Sequence, residues 1–215
     1  MIKEKIKSGK DRLLKSSNNY SRWYKITDYI LFFFSFAFIG WMWEVCLVLV
    51  QTGKLVNRGV LLGPWLPIYG SGGVLILLLL RKLFNRPIVT FGMTTLLCTI
   101  VEYFASCYLE LTKGIRWWDY SNYFLNINGR VCLEGALVFG LGGCAVVYLV
   151  APKLSKLFAK VSNKILIPIC VLLISIFVVD LVHSQNHPNT GEGITASRTS
   201  HIIVSNIIYN KNEFI

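Results

Sequence analysis

Charge is scarce in this 215-residue chain, in which 15% of the residues are charged, against about 25% in an ordinary soluble domain. Hydrophobic residues make up 54% of the chain, and the mean hydropathy is +0.55. These proportions exclude a disordered chain and a secreted disulfide-rich one. They also disfavour a soluble globular protein and point to a membrane protein.

Nucleotide-binding and nucleophile motifs are missing as well. The chain has no G-x-x-x-x-G-K-[ST], no G-x-S-x-G and no H-E-x-x-H sequence. Its six cysteines form no C-x-x-C pair, so we interpret them as small apolar packing residues. From these absences we expect no ATPase activity, no metal and no cofactor in this chain.

Long apolar runs are what the chain has in abundance. Five of them reach about 20 residues, the length that crosses a hydrocarbon core of about 30 Å. We place these spans near residues 28–50, 60–80, 88–111, 131–151 and 165–182. The predicted fold class is all-α: a polytopic membrane helix bundle of about five transmembrane helices, residues 28–182. A basic N-terminal arm, residues 1–27, and a polar C-terminal tail, residues 183–215, flank it.

The basic residues divide unequally between the two sides of this bundle. If the N-terminus is inside, 15 of the 22 Lys and Arg residues are cytoplasmic and 7 are external. The positive-inside rule therefore predicts a cytoplasmic N-terminus and an external C-terminus. This placement explains the net charge of +11 without a nucleic-acid partner.

Acidic residues inside the predicted spans need a reason, since a charge at mid-membrane costs about 2.5–3.5 kcal/mol on the insertion scale. Glu44, Glu102 and Glu134 fall in the predicted external halves of their spans. Arginines occupy the loops on that same side. The sequence therefore predicts an outward-facing polar cavity lined by Glu and Arg. The alternative is that Glu–Arg pairs only hold the bundle together.

Spacing along the chain adds two expectations about these side chains. Glu102, Ser106 and Glu110 are four residues apart in turn, which places them on one face of the third span. Arg130 and Glu134 are also four apart, so they can pair locally if both are helical. Residues 57–73 contain two prolines and five glycines, so we expect an irregular or kinked entry to the second span.

Several segments together resemble the bacterial family of type IV ABC-transporter proteins, also described as ABC transporter permeases. They are FIGWMWEV at 38–45, the stretch 57–70, Glu102-Tyr103, RWWDY at 116–120 and NGRVCLEG at 128–135. The resemblance implies a multi-pass protein of the bacterial plasma membrane that works with a separate ATPase subunit. The basic stretch at residues 153–160 is the best candidate for docking that subunit.

We therefore expect a permease-like or substrate-binding subunit of a transporter. Its partners would be membrane lipids, a separate ATPase subunit and a polar or zwitterionic small molecule or lipid headgroup. Two alternatives stay open: a membrane enzyme acting on a lipid headgroup or envelope precursor, and a non-transporting assembly or regulatory protein. The candidate ligand-binding residues are Glu44, Asn57, Arg58, Tyr69, Glu102, Trp117, Trp118, Asp119, Asn128, Arg130 and Glu134.

Overall fold

A computed structural model describes residues 20–196 of the chain. Its regular elements in this range are five long or medium-length helices and a short 3₁₀ helix, Arg81–Leu83. Four of the five are long and apolar enough to cross a membrane. The prediction of an all-α polytopic bundle is confirmed. The helices are α1 (Ile26–Thr52), α2 (Pro67–Leu79), α3 (Pro87–Lys113), α4 (Leu133–Phe158) and α5 (Asn163–Asn186).

The predicted arm and tail fall partly beyond these residues. Residues 1–19 of the arm and residues 197–215 of the tail lie outside the described part of the chain. The last helix continues past residue 182 to Asn186. Residues 187–196, which we call the strap, follow it and are hydrogen-bonded to two loops of the bundle.

The short helix α2 differs most from an ordinary span. It has 13 residues, about 20 Å of helix, against a hydrocarbon core of about 30 Å. The chain before it, residues 53–66, is not helical, and the helix starts at Pro67. A proline fits the first helical turn because the amide it lacks has no partner there. The irregular entry predicted from Pro64 and Pro67 is thus present.

A π-helical turn, Val146–Val150, interrupts α4. It ends two residues before Pro152, which has no N–H to donate to the preceding turn. The chain accommodates the proline by widening one turn, with Ala151 donating its N–H to the carbonyl of Val146. The helix therefore continues to Phe158 as one element.

Small residues bring α1 and α2 into close contact. A Cβ at Gly40 would overlap the ring of Tyr69, and one at Gly73 would overlap the ring of Phe36. Small residues at a helix crossing allow this approach in membranes. The contact at Gly40 also positions Tyr69 beside the carboxylate of Glu44, one turn further along α1.

The two ends of the bundle differ in character. The helices α1, α3 and α5 end, and α2 and α4 begin, at one end, which we call the cavity end. The opposite, basic end carries the buried core around Phe32, Phe36, Ile76 and Phe84. Nine of the Lys and Arg residues among residues 20–196 are at the basic end and five at the cavity end. This distribution agrees with the predicted orientation, which remains a prediction.

Candidate functional site

A cavity of about 620 Å³ opens at the cavity end, between α1, α2, α3 and α5, and one residue of α4, Phe139, completes its wall. Four of its lining residues carry charge: Glu44, Arg58, Glu102 and Lys113. The rest of the wall is mainly aliphatic and aromatic. The aromatic members are Tyr69, Tyr108, Trp117, Trp118, Tyr120, Tyr123 and Phe139.

Glu44 has a partner for each carboxylate oxygen. The hydroxyl of Tyr69 donates to Oε1 at 2.7 Å, and a terminal nitrogen of Arg58 donates to Oε2 at 3.4 Å. Arg58 is mostly buried, with 17% of its side chain exposed. The loop before α2 therefore delivers a cation to the acidic residue of α1, as the sequence predicted in outline.

Only one of the two Glu102 carboxylate oxygens has a hydrogen-bond partner among the described residues. The residue is 3% exposed, and the hydroxyl of Tyr120 donates to its Oε1 at 3.2 Å. Burial and the Glu102 carboxylate raise the pKa of Tyr120 above its ordinary value, so the phenol stays protonated and acts as a donor. Glu102 Oε2 has no hydrogen-bond partner among the described residues, and neither does Nε of Arg58.

Glu110, two turns further along α3, is held by two arginines. Arg116 Nε donates to one oxygen at 3.0 Å, and Arg130 donates to the other. Arg130 also donates to the hydroxyl of Ser106 at 3.1 Å. The predicted polar face of α3 is therefore real: its residues contact one loop, residues 114–132.

The predicted local pair of Arg130 and Glu134 is not the pairing that the structure shows. The helix α4 begins at Leu133, so Arg130 lies in the preceding loop and the helical four-residue spacing does not apply. Arg130 reaches back to Glu110 of α3 instead. Glu134 is exposed in the first turn of α4, and it does not line the cavity.

The other predicted site residues shape the loops around the cavity. Asn57 accepts from the indole N–H of Trp41 at 2.6 Å and donates to the carbonyl of Leu62 at 2.8 Å. Asp119 accepts from the backbone N–H and the hydroxyl of Ser121. Asn128 donates to the hydroxyl of Tyr103 at 2.9 Å. The cavity lining therefore excludes Asn57, Asp119, Asn128, Arg130 and Glu134, and it includes the other six.

Two tryptophans join the cavity wall to the surrounding loops. Trp117 is buried, and its indole N–H donates to the carbonyl of Asn189 in the strap at 3.2 Å. Trp118 donates to the carbonyl of Arg130 at 2.9 Å. Both N–H groups are thus occupied by the protein, which leaves the rings to contribute apolar surface to the cavity.

The strap lies across both loops of the cavity end. The side chain of Asn189 donates to the carbonyls of Asn57 and Gly59. Arg58 donates to the carbonyls of Gly193 and Ile194, at 2.5 and 2.9 Å. One guanidinium therefore binds Glu44 and the strap together.

Sequence reasoning missed the role of Asp180 in α5. Its carboxylate accepts from the backbone N–H groups of Leu62 and Gly63, from the indole N–H of Trp65 at 2.8 Å, and from the hydroxyl of Ser184. This carboxylate fixes the irregular entry to α2. Its position near a span end was the only available signal, and the sequence does not show that a distant loop supplies the donors.

Two further lining residues, Lys113 and Tyr108, were also missed. Lys113 ends α3 and donates to the carbonyls of Ser184 and Gln185 at the end of α5. Tyr108 is a cavity-lining residue two turns after Val101 on α3. An apolar or aromatic residue at such a position looks like any lipid-facing one, so the sequence offered no distinguishing signal.

Comparison with known proteins identifies the family of this chain and gives no individual relative. No curated protein and no solved structure matches this chain. A family model does match, over residues 31–185. This range includes most of α1, all of α2 to α4, nearly all of α5 and every cavity-lining residue. The chain belongs to the family described as Putative ABC-transporter type IV.

Proposed function

We propose that this chain is the membrane subunit of a transporter that binds a polar or zwitterionic small molecule, or a lipid headgroup, in the cavity between α1, α2, α3 and α5. One observation carries the proposal. The cavity has the volume of a small-ligand site. Two of its lining residues, Glu102 and Arg58, each keep a buried polar atom that has no hydrogen-bond partner within residues 20–196. Such atoms are rare in protein interiors, where nearly all buried polar groups are hydrogen-bonded.

Membership of an ABC-transporter family supports the transport part of the proposal. An ABC transporter needs an ATPase, and this chain has no Walker A sequence. The proposal therefore includes a separate ATPase subunit that docks at the basic end. The segment Ala151–Phe158 is the best docking element, since it is amphipathic and exposes Lys153, Lys156 and Leu157.

The cavity would face the exterior of a bacterial cell. This orientation is supported by the excess of basic residues at the opposite end of the bundle. It is tested with single cysteines in a cysteine-free background, at Lys54→Cys and Lys160→Cys, which are exposed at opposite ends. A membrane-impermeant maleimide should label intact cells at position 54 and not at position 160. The reverse pattern contradicts the orientation.

The ligand part is tested by purification from native membranes in mild detergent and mass spectrometry of small molecules released on denaturation. We expect a ligand bound to the wild type and to the control Glu134→Gln. We expect its loss from Glu44→Gln, because Glu44 holds Arg58 in the cavity wall. Glu134 is a fair control because it is exposed and does not line the cavity. Equal retention by all three proteins contradicts the assignment of this cavity.

The partner part is tested in the same preparation. We expect a nucleotide-binding protein to co-purify in stoichiometric amount, and to be lost from a Lys153→Glu, Lys156→Glu double variant. Lys54→Glu, a charge reversal at the other end of the bundle, should retain it. Purification of the chain alone would contradict the transporter assignment.

The Glu110 network favours a second candidate, a non-transporting assembly or regulatory protein. Two arginines on one carboxylate fix the loop 114–132 to α3, and this arrangement needs no ligand. In that case substitutions at Glu44 and Arg58 should change stability alone, and no small molecule should co-purify.

A further inference from the structure

The charged side chains that line the cavity differ in the partners that the protein gives them. Arg58 is bonded to Glu44 and to two strap carbonyls. Lys113 is bonded to two carbonyls at the end of α5, and it lies three turns, about 16 Å, along α3 from Glu102. The lining residue that faces no cation is Glu102, whose contact among the described residues is the neutral hydroxyl of Tyr120.

The walls around this carboxylate favour a cation. Seven aromatic residues line the cavity, and the indole N–H groups of Trp117 and Trp118 are already used by backbone carbonyls. Aromatic faces attract ammonium groups, most strongly where water is excluded. A buried carboxylate with a free oxygen does the same through a charge-assisted hydrogen bond.

From this we infer that the cavity binds an organic ammonium group, with the Glu102 carboxylate as its counter-ion and the aromatic side chains as its walls. The inference rests on the proposed ligand-binding function and narrows it to one ligand class. The ammonium can belong to a free amine with an apolar body or to the amine of a lipid headgroup. Because Arg58 Nε also lacks a partner in the part of the chain that the structure describes, a ligand with an additional anionic group fits the same cavity.

The test compares three probes of one shape: 2-phenylethylamine, 2-phenylethanol and phenylacetate. They are a cation, a neutral molecule and an anion at neutral pH, and each is far smaller than the cavity. Binding to the full chain in detergent is read as a saturable rise in melting temperature, since a ligand that binds only the folded state stabilises it. We expect the amine to bind about 10- to 100-fold more tightly than the alcohol, as a desolvated charged hydrogen bond predicts.

The variant Glu102→Gln isolates the carboxylate. It should remove the preference for the amine and leave the affinity for 2-phenylethanol unchanged, whereas Glu134→Gln should keep the preference. An unchanged alcohol affinity also shows that the variant is folded. Equal binding of amine and alcohol by the wild type, or tighter binding of phenylacetate, overturns the ammonium proposal and leaves the proposed ligand-binding function standing. If no probe binds and no small molecule co-purifies, both proposals are overturned.

The two sources of the ammonium are separated in lipid nanodiscs. The affinity for 2-phenylethylamine is measured in phosphatidylglycerol alone and with phosphatidylethanolamine added. Competition by the amine lipid supports a headgroup ligand, and an unchanged affinity supports a free amine. A preference for the amine that persists in Glu102→Gln under either lipid condition overturns the proposal.

Discussion

Glu102 and Glu110 lie two turns apart on the same face of α3, yet their surroundings are opposite. Glu110 accepts from two arginines, one at each oxygen, at a place where its side chain is 29% exposed. Glu102 is 3% exposed and accepts from a single tyrosine. The less buried carboxylate thus has two cations, and the more buried one has none among the described residues.

This difference separates two reasons for placing charge in a membrane bundle. A carboxylate whose partners all come from the protein needs no ligand. At Glu110 its function is to hold a loop against a helix. A carboxylate that is buried without a matching charge destabilises the protein. Such a residue persists where the missing partner arrives with a ligand, which is why we place the binding site at Glu102 and not at Glu110.

The largest effect on stability is expected from a substitution at Glu110, the carboxylate that binds two arginines. Glu110→Gln removes the negative charge to which Arg116 and Arg130 both bind, and both guanidinium groups are mostly buried. We expect a loss of about 2–4 kcal/mol in stability, since hydrogen bonds to charged groups each contribute about 1.5–3 kcal/mol. A thiol-reactive dye measures it in detergent, because unfolding exposes the buried Cys132 and Cys170.

The control for this experiment is Glu134→Gln, which changes the same residue type at an exposed position. Its melting curve should overlay that of the wild type. A loss in Glu110→Gln no larger than in this control contradicts the structural role of the network.

A smaller effect is expected at Ser106, which lies between the two glutamates. It is 4% exposed, and its hydroxyl accepts one hydrogen bond from Arg130. In Ser106→Ala the arginine keeps its carboxylate partner, so the loss should be about 1 kcal/mol, the usual contribution of one such bond. The same dye experiment measures it. A loss as large as that of Glu110→Gln would mean that the serine, and not the carboxylate, positions Arg130.

Whether a contact at these residues can be predicted from sequence depends on how far apart its two partners are in the chain. The shared face of Glu102, Ser106 and Glu110 follows from helical spacing alone, and Pro64 and Pro67 predict the irregular entry to α2. The partner of Arg130 does not follow from sequence, because the loop turns back through Asn128 and Gly129, at φ 55° and 67°, before α4 begins.

The anchoring of the loop before α2 was equally out of reach. Asp180 binds Leu62 and Gly63 across more than a hundred residues of chain, and no local pattern encodes that pairing. Sequence spacing thus identifies which acidic residues lie at the cavity end. Tertiary contacts decide which of them are paired with a cation of the protein and which one is not.

Glu102→Gln should not lower stability at all. The substitution removes a buried carboxyl group that has no cation among the described residues and keeps a side chain able to accept from Tyr120. We therefore expect a melting temperature equal to or above that of the wild type. The comparison with Glu110→Gln is direct, since both variants change one carboxylate of α3 to an amide. A clear loss of stability in Glu102→Gln would show that a cationic group of the protein pairs with this carboxylate and would contradict its assignment to the ligand.

The smallest effect is expected at the exposed pair of Lys54 and Glu192, 2.8 Å apart, with 64% and 87% of their side chains exposed. The Lys54 ammonium lowers the pKa of Glu192, so any stabilisation is present at neutral pH and lost as the pH falls below about 4, the ordinary range of a glutamate. Water and salt screen such a pair, and Glu192→Gln should melt with the wild type at both pH 7 and pH 4. If Glu192→Gln loses as much stability at pH 7 as Ser106→Ala, and less at pH 4, the strap is held by this pair. The structure instead attributes the anchoring of the strap to Arg58 and Asn189.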